Sequence, residues 1–230
     1  MGIGQVSVTQ ENLGQGGFKE VERKVLFVGT PSLNQNNNQL HSIGVETDLT
    51  STRIYLRGLE EEDLKLRPKW LNDPEINKTL LMDYPVSYAT TLAWFKRIVS
   101  EQHHTRLDLS ICEKETNRVI GMTGLLQIDR RNMNAQFYMT IGEKEYWGQH
   151  IPGEVIPMVL NYAFINLNLN KVYLWTITAN KHARSVYEGY GFIQEALMEQ
   201  HFYCRGGLQD IYQHRILREE WITTIQKKAS

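Results

Sequence analysis

A chain of 230 residues, 41% hydrophobic and 22% charged, can bury one sizeable core, as one domain or as one domain with an appendage, and the second arrangement is expected here. The formal charge of -1 comes with lysine and arginine dispersed along the chain, which argues against nucleic acid or an anionic membrane as partner and for a small molecule. The two cysteines, Cys112 and Cys204, are too few for the disulfide frame of a small secreted protein, so a reducing cytoplasm is expected.

The first ten residues, MGIGQVSVTQ, lack a basic-then-apolar signal, and Val6 breaks the myristoylation pattern. No later apolar run reaches membrane-span length, so no membrane partner is expected. Residues 1–50 read as an N-terminal extension in which GQGG at 14–17 and NQNNNQ at 34–39 are polar, flexible tracts around one strand-like run, KVLFVG. No chemistry is assigned to it.

From Thr52 the pattern tightens. RIYLRGL is a predicted strand, and EEEDLKLRPKWL an acidic-started helix that Pro68 interrupts or kinks. NDPEINKTL is a short helix started by Pro74, and SYATTLAWFKRIVSEQ carries apolar residues at 92, 95, 98 and 99, the spacing of an amphipathic helix. TRLDLSICE, RVIGMTGLLQID and NAQFYMTIG, separated by the polar turns KETN and RRNM, form an antiparallel meander. A helix over about 154–168 follows, then the strand KVYLWTIT. NKHARSVYEGYG is a short helix with Asn180 as N-cap and Gly191 as its stop, and two strands around 192–204 and 208–217 meet at RGG. The order implies a single α/β domain over 51–218 with helices on the faces of a mixed sheet, followed by a C-terminal tail at 219–230.

Three local patterns carry more than fold class: RGLEEEDL with WLNDPEINKTL; NAQFYMTIGEKEYWGQHIPGEV; and NKHARSVYEGYGF from Asn180 to Phe192. In this order they resemble the GNAT superfamily of acyl-CoA-dependent N-acetyltransferases, most closely the branch holding ribosomal-protein N-terminal, spermidine and nucleotide-aminosugar acetyltransferases. The third pattern is similar to the family's Asn-x-x-Ala/Ser-x-x-x-Tyr-x-x-x-Gly-Phe. The resemblance spans about 52–218. It implies a GNAT-type mixed, mostly antiparallel sheet, acetyl-CoA as cosubstrate, a primary amine of a small molecule (polyamine or aminosugar) or peptide as acceptor, and direct attack without a metal. A homodimer is a further possibility it leaves open.

Acetyl transfer from a thioester to an amine needs a neutral nucleophile, a stabilised oxyanion and a proton for the departing thiolate. The family often uses a glutamate on the fourth strand as base; the matching position here is Gln136, whose amide can hold a water but cannot accept a proton at neutral pH. Either another group supplies the relay, with Asp129, Glu143 or His201 as candidates, or the amine arrives deprotonated and proximity does most of the work. Gln136 as an outward-facing strand residue is the alternative. Tyr187 matches the family's general acid; otherwise it is a helix tyrosine capping the core. By the same resemblance Met139, Thr140 and Ile141 offer backbone groups to the pantetheine arm, and Asn180 and Ala183 flank it.

The family's pyrophosphate loop is a basic or glutamine residue followed by a glycine-rich run. Its positions fall on Trp147, Gly148, Gln149, His150, Ile151 and Pro152, and only Gly148 is kept. If a helix began at Pro152, Pro157 would lie beyond the free first turn and cost roughly 3 kcal/mol. The loop is therefore expected to run to Gly153, with the N–H groups of Gln149, His150, Ile151 and Gly153 binding the anion and with weaker cofactor affinity than the family norm. An ordinary strand-to-helix connection is the alternative. Asp73, Glu75 and Asp83 suit a cationic acceptor only if they face the cleft. His103 and His104, being adjacent, point to different faces and suggest no metal site. Gln136, His150 and Pro152 also keep open a second class: a catalytically weak or inactive GNAT-like protein that binds acyl-CoA or serves as a scaffold.

Overall fold

The computed structural model describes residues 9–13, 17–21, 48–82 and 84–229 and divides into two units, Met1–Ser42 and Ile43–Ser230. In the first, β1 (Thr9–Leu13) and β2 (Gly17–Val21) pair antiparallel from Thr9↔Val21 to Leu13↔Gly17. This hairpin sits around the glycine tract expected to be structureless; TQENL and GFKEV show no clean apolar alternation to announce it. KVLFVG, the 34–39 tract and Asp83 lie outside the described residues.

The second unit is built on a seven-stranded sheet in the order β3-β4-β5-β6-β7-β9-β8. Its strands are β3 (Ile54–Gly58), β4 (Leu107–Glu113), β5 (Val119–Asp129), β6 (Asn134–Ile141), β7 (Lys171–Ile177), β8 (Ile193–Cys204) and β9 (Gly207–Leu217). Every pairing is antiparallel except β6–β7, so the expected mixed, mostly antiparallel sheet is present.

After β3 a 3₁₀ turn, Glu61–Lys65, runs into α1 (Leu66–Leu71). Pro68 falls in the first turn of α1, where no intrahelical N–H is required, so it marks a change of helix type rather than a break. Asp73 caps α2 (Pro74–Asn77), accepting from the Glu75 N–H at 2.9 Å. Ser87 and Thr90 form a capping box on α3 (Tyr88–Ile98). The expected apolar stripe stops at Ile98, because Val99 begins a 3₁₀ turn and is 51% exposed.

α4 (Ile151–Asn161) continues as a π-helical stretch, Tyr162–Asn166, and α5 (Lys181–Gly189) lies between β7 and β8. Of the expected tail at 219–230, residues 219–229 instead belong to α6 (Arg218–Ala229), whose Trp221 is 2% exposed within the main core and donates to Asn161 Oδ1 at 2.8 Å. An apolar moment that is weak beside neighbouring charges hid this helix from the pattern.

Strand alternation divides the sheet into two faces. Ala135 and Phe137 point into the larger core with Val155, Ile156, Phe164 and Tyr187. Gln136 and Tyr138 point to the other face, where Trp70, Ile76 and Met122 form the smaller core under α1 and α2. The long β8–β9 hairpin reaches back to this helical layer: Arg205 Nη1 donates to the carbonyls of Asn77 (3.1 Å) and Leu80 (2.8 Å).

Candidate active site

The two central parallel strands separate soon after they meet. β6 pairs with β7 only at Asn134↔Lys171, Ala135↔Val172 and Gln136↔Tyr173. Beyond that point β6 stays on β5 as far as Gly121↔Ile141, and β7 stays on β9 as far as Ile177↔Ile211. A wedge therefore opens between Phe137–Ile141 and Leu174–Ile177.

The Tyr138 carbonyl accepts from Thr123 Oγ1 at 2.8 Å, and the Thr140 carbonyl lies so close to Gly121 that a Cβ there would sit 2.4 Å from it. Both residues turn their main-chain groups toward β5, so alternation turns those of Met139 and Ile141 toward the wedge. Of the three positions expected to pair with pantetheine, Thr140 is thus occupied within the sheet. The Ile141 carbonyl is also engaged, by Trp147 Nε1 at 3.0 Å.

Tyr187 is carried to the wedge by α5. Asn180 Oδ1 accepts from the Ala183 N–H at 3.1 Å, fixing the start of the helix, and Gly191, with φ of 91°, ends it. The Tyr187 ring meets Phe137, the first β6 residue past the last β6–β7 pair, edge-on at 6.1 Å, and Phe192 at 5.7 Å. It is 8% exposed, and its hydroxyl bonds to no described residue. Burial pushes its pKa up to about 12. Such a phenol stays protonated and serves better as a hydrogen-bond donor to a thiolate than as a ready source of protons.

At the mouth of α4 the expected loop is shorter than its sequence suggests. The helix starts at Ile151, with His150 as N-cap in the left-handed region (φ 59°). Gly153 is already helical; its N–H bonds the His150 carbonyl at 2.9 Å, and a Cβ there would meet the Tyr190 hydroxyl at 2.4 Å. It is a packing glycine rather than a hinge. Pro157 consequently lies inside the helix and cannot donate to the Gly153 carbonyl, the roughly 3 kcal/mol penalty that argued for a later start.

Trp147 N–H bonds Lys144, Gln149 N–H bonds Tyr146, and Gln149 Nε2 bonds the Glu145 carbonyl. Of the four amides expected to bind an anion, Gln149 and Gly153 are engaged. Gly148, His150 and Ile151 keep N–H groups with no backbone partner among the described residues, while Pro152 has none to offer.

Sequence reasoning missed the latch beside this mouth. Glu154 accepts from Ser51 Oγ (2.5 Å), the Arg53 N–H (3.1 Å) and Arg53 Nε (2.7 Å), and Arg53 Nη2 donates to the Gln149 carbonyl at 2.7 Å. Burial alone raises the Glu154 pKa, but these donors outweigh it and hold the carboxyl below its ordinary value. Arg53 remains 46% exposed, a cation at the helix mouth where the family motif's basic residue is replaced by Trp147. No local pattern links residues about a hundred positions apart.

The Gln136 side chain is half-buried on the face opposite Tyr187 and bonds to no described residue. Two of the three alternative bases are engaged by other partners. Asp129 holds the β5–β6 turn through the Asn132 N–H and Nδ2, which lower its pKa. Glu143, 5% exposed, is bound by Lys69 (2.8 Å), Trp70 Nε1 (2.8 Å) and Arg118; burial raises its pKa, but these partners outweigh it and keep it ionised. His201 lies edge-on to Trp175 at 5.5 Å, on the Gln136 face. Asp73 and Glu75 do not offer free charge to a cleft, since both pair with Lys144, at 2.7 and 2.8 Å. Among the described residues there is no cluster suited to a metal ion, and no helix is long and apolar enough to cross a membrane.

Comparison with known proteins matches this geometry. The family model for the acetyltransferase (GNAT) domain matches residues 53–193. A second, DUF2586 N-terminal domain, matches residues 3–67. The chain is 27% identical to an uncharacterized N-acetyltransferase p20 of Bacillus licheniformis and 25% identical to a spermidine N(1)-acetyltransferase of Vibrio cholerae, each over 75% of this chain and 97% of the relative. The solved spermidine N-acetyltransferase of Vibrio cholerae in complex with CoA and spermine shares the fold, with a TM-score of 0.69 at 24% identity over 75% of this chain and 99% of that one. The chain therefore belongs to the GNAT acetyltransferases.

Proposed function

We propose that this chain transfers an acetyl group from acetyl-CoA to a primary amine of a small molecule, such as a polyamine or aminosugar, or of a peptide, by direct attack. The observation carrying this reading is the wedge between β6 and β7, open from Phe137 onward with Tyr187 packed on that residue. The pantetheine arm pairs with the Met139 main chain and the Ile141 N–H, much as an added strand would. The pyrophosphate meets the free amides of Gly148, His150 and Ile151 at the α4 mouth, with Arg53 as the nearby cation. The amine nitrogen attacks the thioester carbon, a main-chain N–H of β6 steadies the oxyanion, the C–S bond breaks, and the Tyr187 hydroxyl hydrogen-bonds the departing thiolate. The amine proton leaves through water, which the Gln136 amide holds in this reading, and the thiolate takes up a proton to end as the free thiol.

Thiol release from acetyl-CoA over a panel of polyamines, aminosugars, aminoglycosides and peptides tests this. Release above hydrolysis is expected; its absence across the panel refutes the enzymatic reading. The amide at Gln136 and the engaged Gln149 N–H favour one rival, a GNAT-like scaffold that binds acyl-CoA without turnover. Tight binding of acetyl-CoA by calorimetry with no acetylated product in single-turnover mass analysis would select it.

A further inference from the structure

On the sheet face that carries Gln136, the Arg67 guanidinium has no carboxylate partner among the described residues. Arg67 of α1 is half-buried, with its Cζ 4.3 Å from the centre of the Trp94 ring, and it makes no hydrogen bond or ion pair with any described residue. Arg106 approaches the same indole at 5.5 Å. The carboxylate sharing this environment, Asp108, is saturated: it accepts from Arg106 Nε (2.6 Å) and Nη2 (2.9 Å), Gln102 Nε2 (2.8 Å) and the Tyr138 hydroxyl (2.8 Å). A carboxylate has about four acceptor sites, so Asp108 has none left for Arg67.

Buried side-chain nitrogens and oxygens without a partner occur, among the described residues, at Asn77, Thr91, Thr176 and His214. Arg67 is not one of them, so its donors are not fully sealed within packed protein. Burial pushes its pKa down, and Tyr138 and Asp108 offset this in part. A guanidinium drawn from bulk water without an anionic partner is held at a free-energy cost.

The surroundings place this cation on the acceptor side. A cavity of about 280 Å³ is lined by Glu101, Thr105, Leu126, Gln127 and Arg106, the second arginine at the Trp94 indole. Leu126 is the register partner of Gln136, and Gln127 Oε1 accepts from the hydroxyl of Tyr173, which pairs with Gln136 from the other side. The acids that would suit a polyamine, Asp73 and Glu75, share Lys144 as a common partner, which offsets part of their charge.

We propose that the acceptor is a primary amine that also carries an oxyanion, phosphate or carboxylate, held by Arg67 over Trp94 while its amine reaches β6 past Gln136. The proposal rests on the acetyl-transfer reading. Matched acceptors test it: putrescine against 4-aminobutyrate, and glucosamine against glucosamine 6-phosphate, with spermidine as the polycation, each scored by thiol release. The anion-bearing member of at least one pair should have kcat/KM about tenfold higher, and the two pairs tell phosphate from carboxylate.

Arg67→Gln should erase that preference, with the loss falling on KM rather than kcat. Arg67→Lys, which keeps the charge but loses the fork and the stacking, should recover part of it and carries the comparison if Arg67→Gln does not fold. Spermidine as the best acceptor, or a preference that survives in Arg67→Gln, overturns the proposal. If no acceptor turns over, calorimetry on CoA-saturated protein decides: binding of the anionic member that is lost in Arg67→Gln supports it, and equal or absent binding overturns it. Failure of acetyl-CoA itself to bind would instead refute the acetyl-transfer reading, and this proposal with it.

Discussion

Replacing Tyr187 by phenylalanine separates chemistry from packing, because the ring is held by Phe137 and Phe192 while the hydroxyl bonds to no described residue. Losing the hydroxyl should cost less than about 1 kcal/mol of stability, since no protein hydrogen bond is broken. A hydrogen bond to a thiolate is worth about 1.5–3 kcal/mol, so kcat should fall roughly 10- to 150-fold. Stopped-flow thiol release at saturating acetyl-CoA measures this directly, with calorimetry showing unchanged cofactor affinity. The pKa adds a second readout. Raised from 10 to about 12 by burial, the phenol binds its proton more tightly in the folded state, so its contribution is complete below pH 10 and is lost as pH rises toward 12. This proton linkage, distinct from the hydroxyl's small worth at neutral pH, removes about 2 kcal/mol from the wild type by pH 12. Wild type should therefore lose more stability than Tyr187→Phe across pH 10–12 in denaturant titrations. Turnover within twofold of wild type, or parallel alkaline curves, would refute the assignment.

Glu143→Gln should lower stability by about 1–2 kcal/mol, less than for a fully buried ion pair because Lys69 and Arg118 remain well exposed. The Glu143 pKa is depressed, so its contribution is present above the ordinary value of 4.5 and is lost as pH falls through the folded value; thermal melts from pH 7 to 3 should show a flatter acid limb in the variant. Gly142→Ala would place a Cβ 2.0 Å from the buried Trp70 ring, an overpacking worth about 1–3 kcal/mol, read as a lower melting temperature with altered tryptophan emission. Trp221→Ala should cost about 3–5 kcal/mol in urea unfolding; a loss under about 1 kcal/mol would mean that α6 does not belong to the core.

The sequence revealed those parts of the site that depend on local spacing. Asn180, Tyr187 and Gly191 lie on one short helix, and its cap and stop follow from residue type alone. The meander was equally legible, because β5 and β6 are long apolar runs separated by the turn that Asp129 closes. The α4 mouth was misread by a different logic: Pro157 argued for a late helix start, yet Gly153 is fixed within the first turn by the Tyr190 hydroxyl beside it. Tertiary packing outweighed the local penalty. The Glu154 latch, the Lys144 bridge to Asp73 and Glu75, and the saturation of Asp108 join distant segments, and no spacing rule reaches them. β1 and β2 escaped notice because their side chains alternate too weakly to be read as strands.

The reach of Arg205 to Asn77 and Leu80 fastens the turn at the far rim of the sheet to the helical layer. Its two anchors there are peptide oxygens, which every amino acid supplies. Residue 80 can therefore drift in identity without loosening its anchor, whereas Asn77 is itself buried and donates through Nδ2 to the Leu71 and Met82 carbonyls, and almost any exchange at 205 would unfasten both.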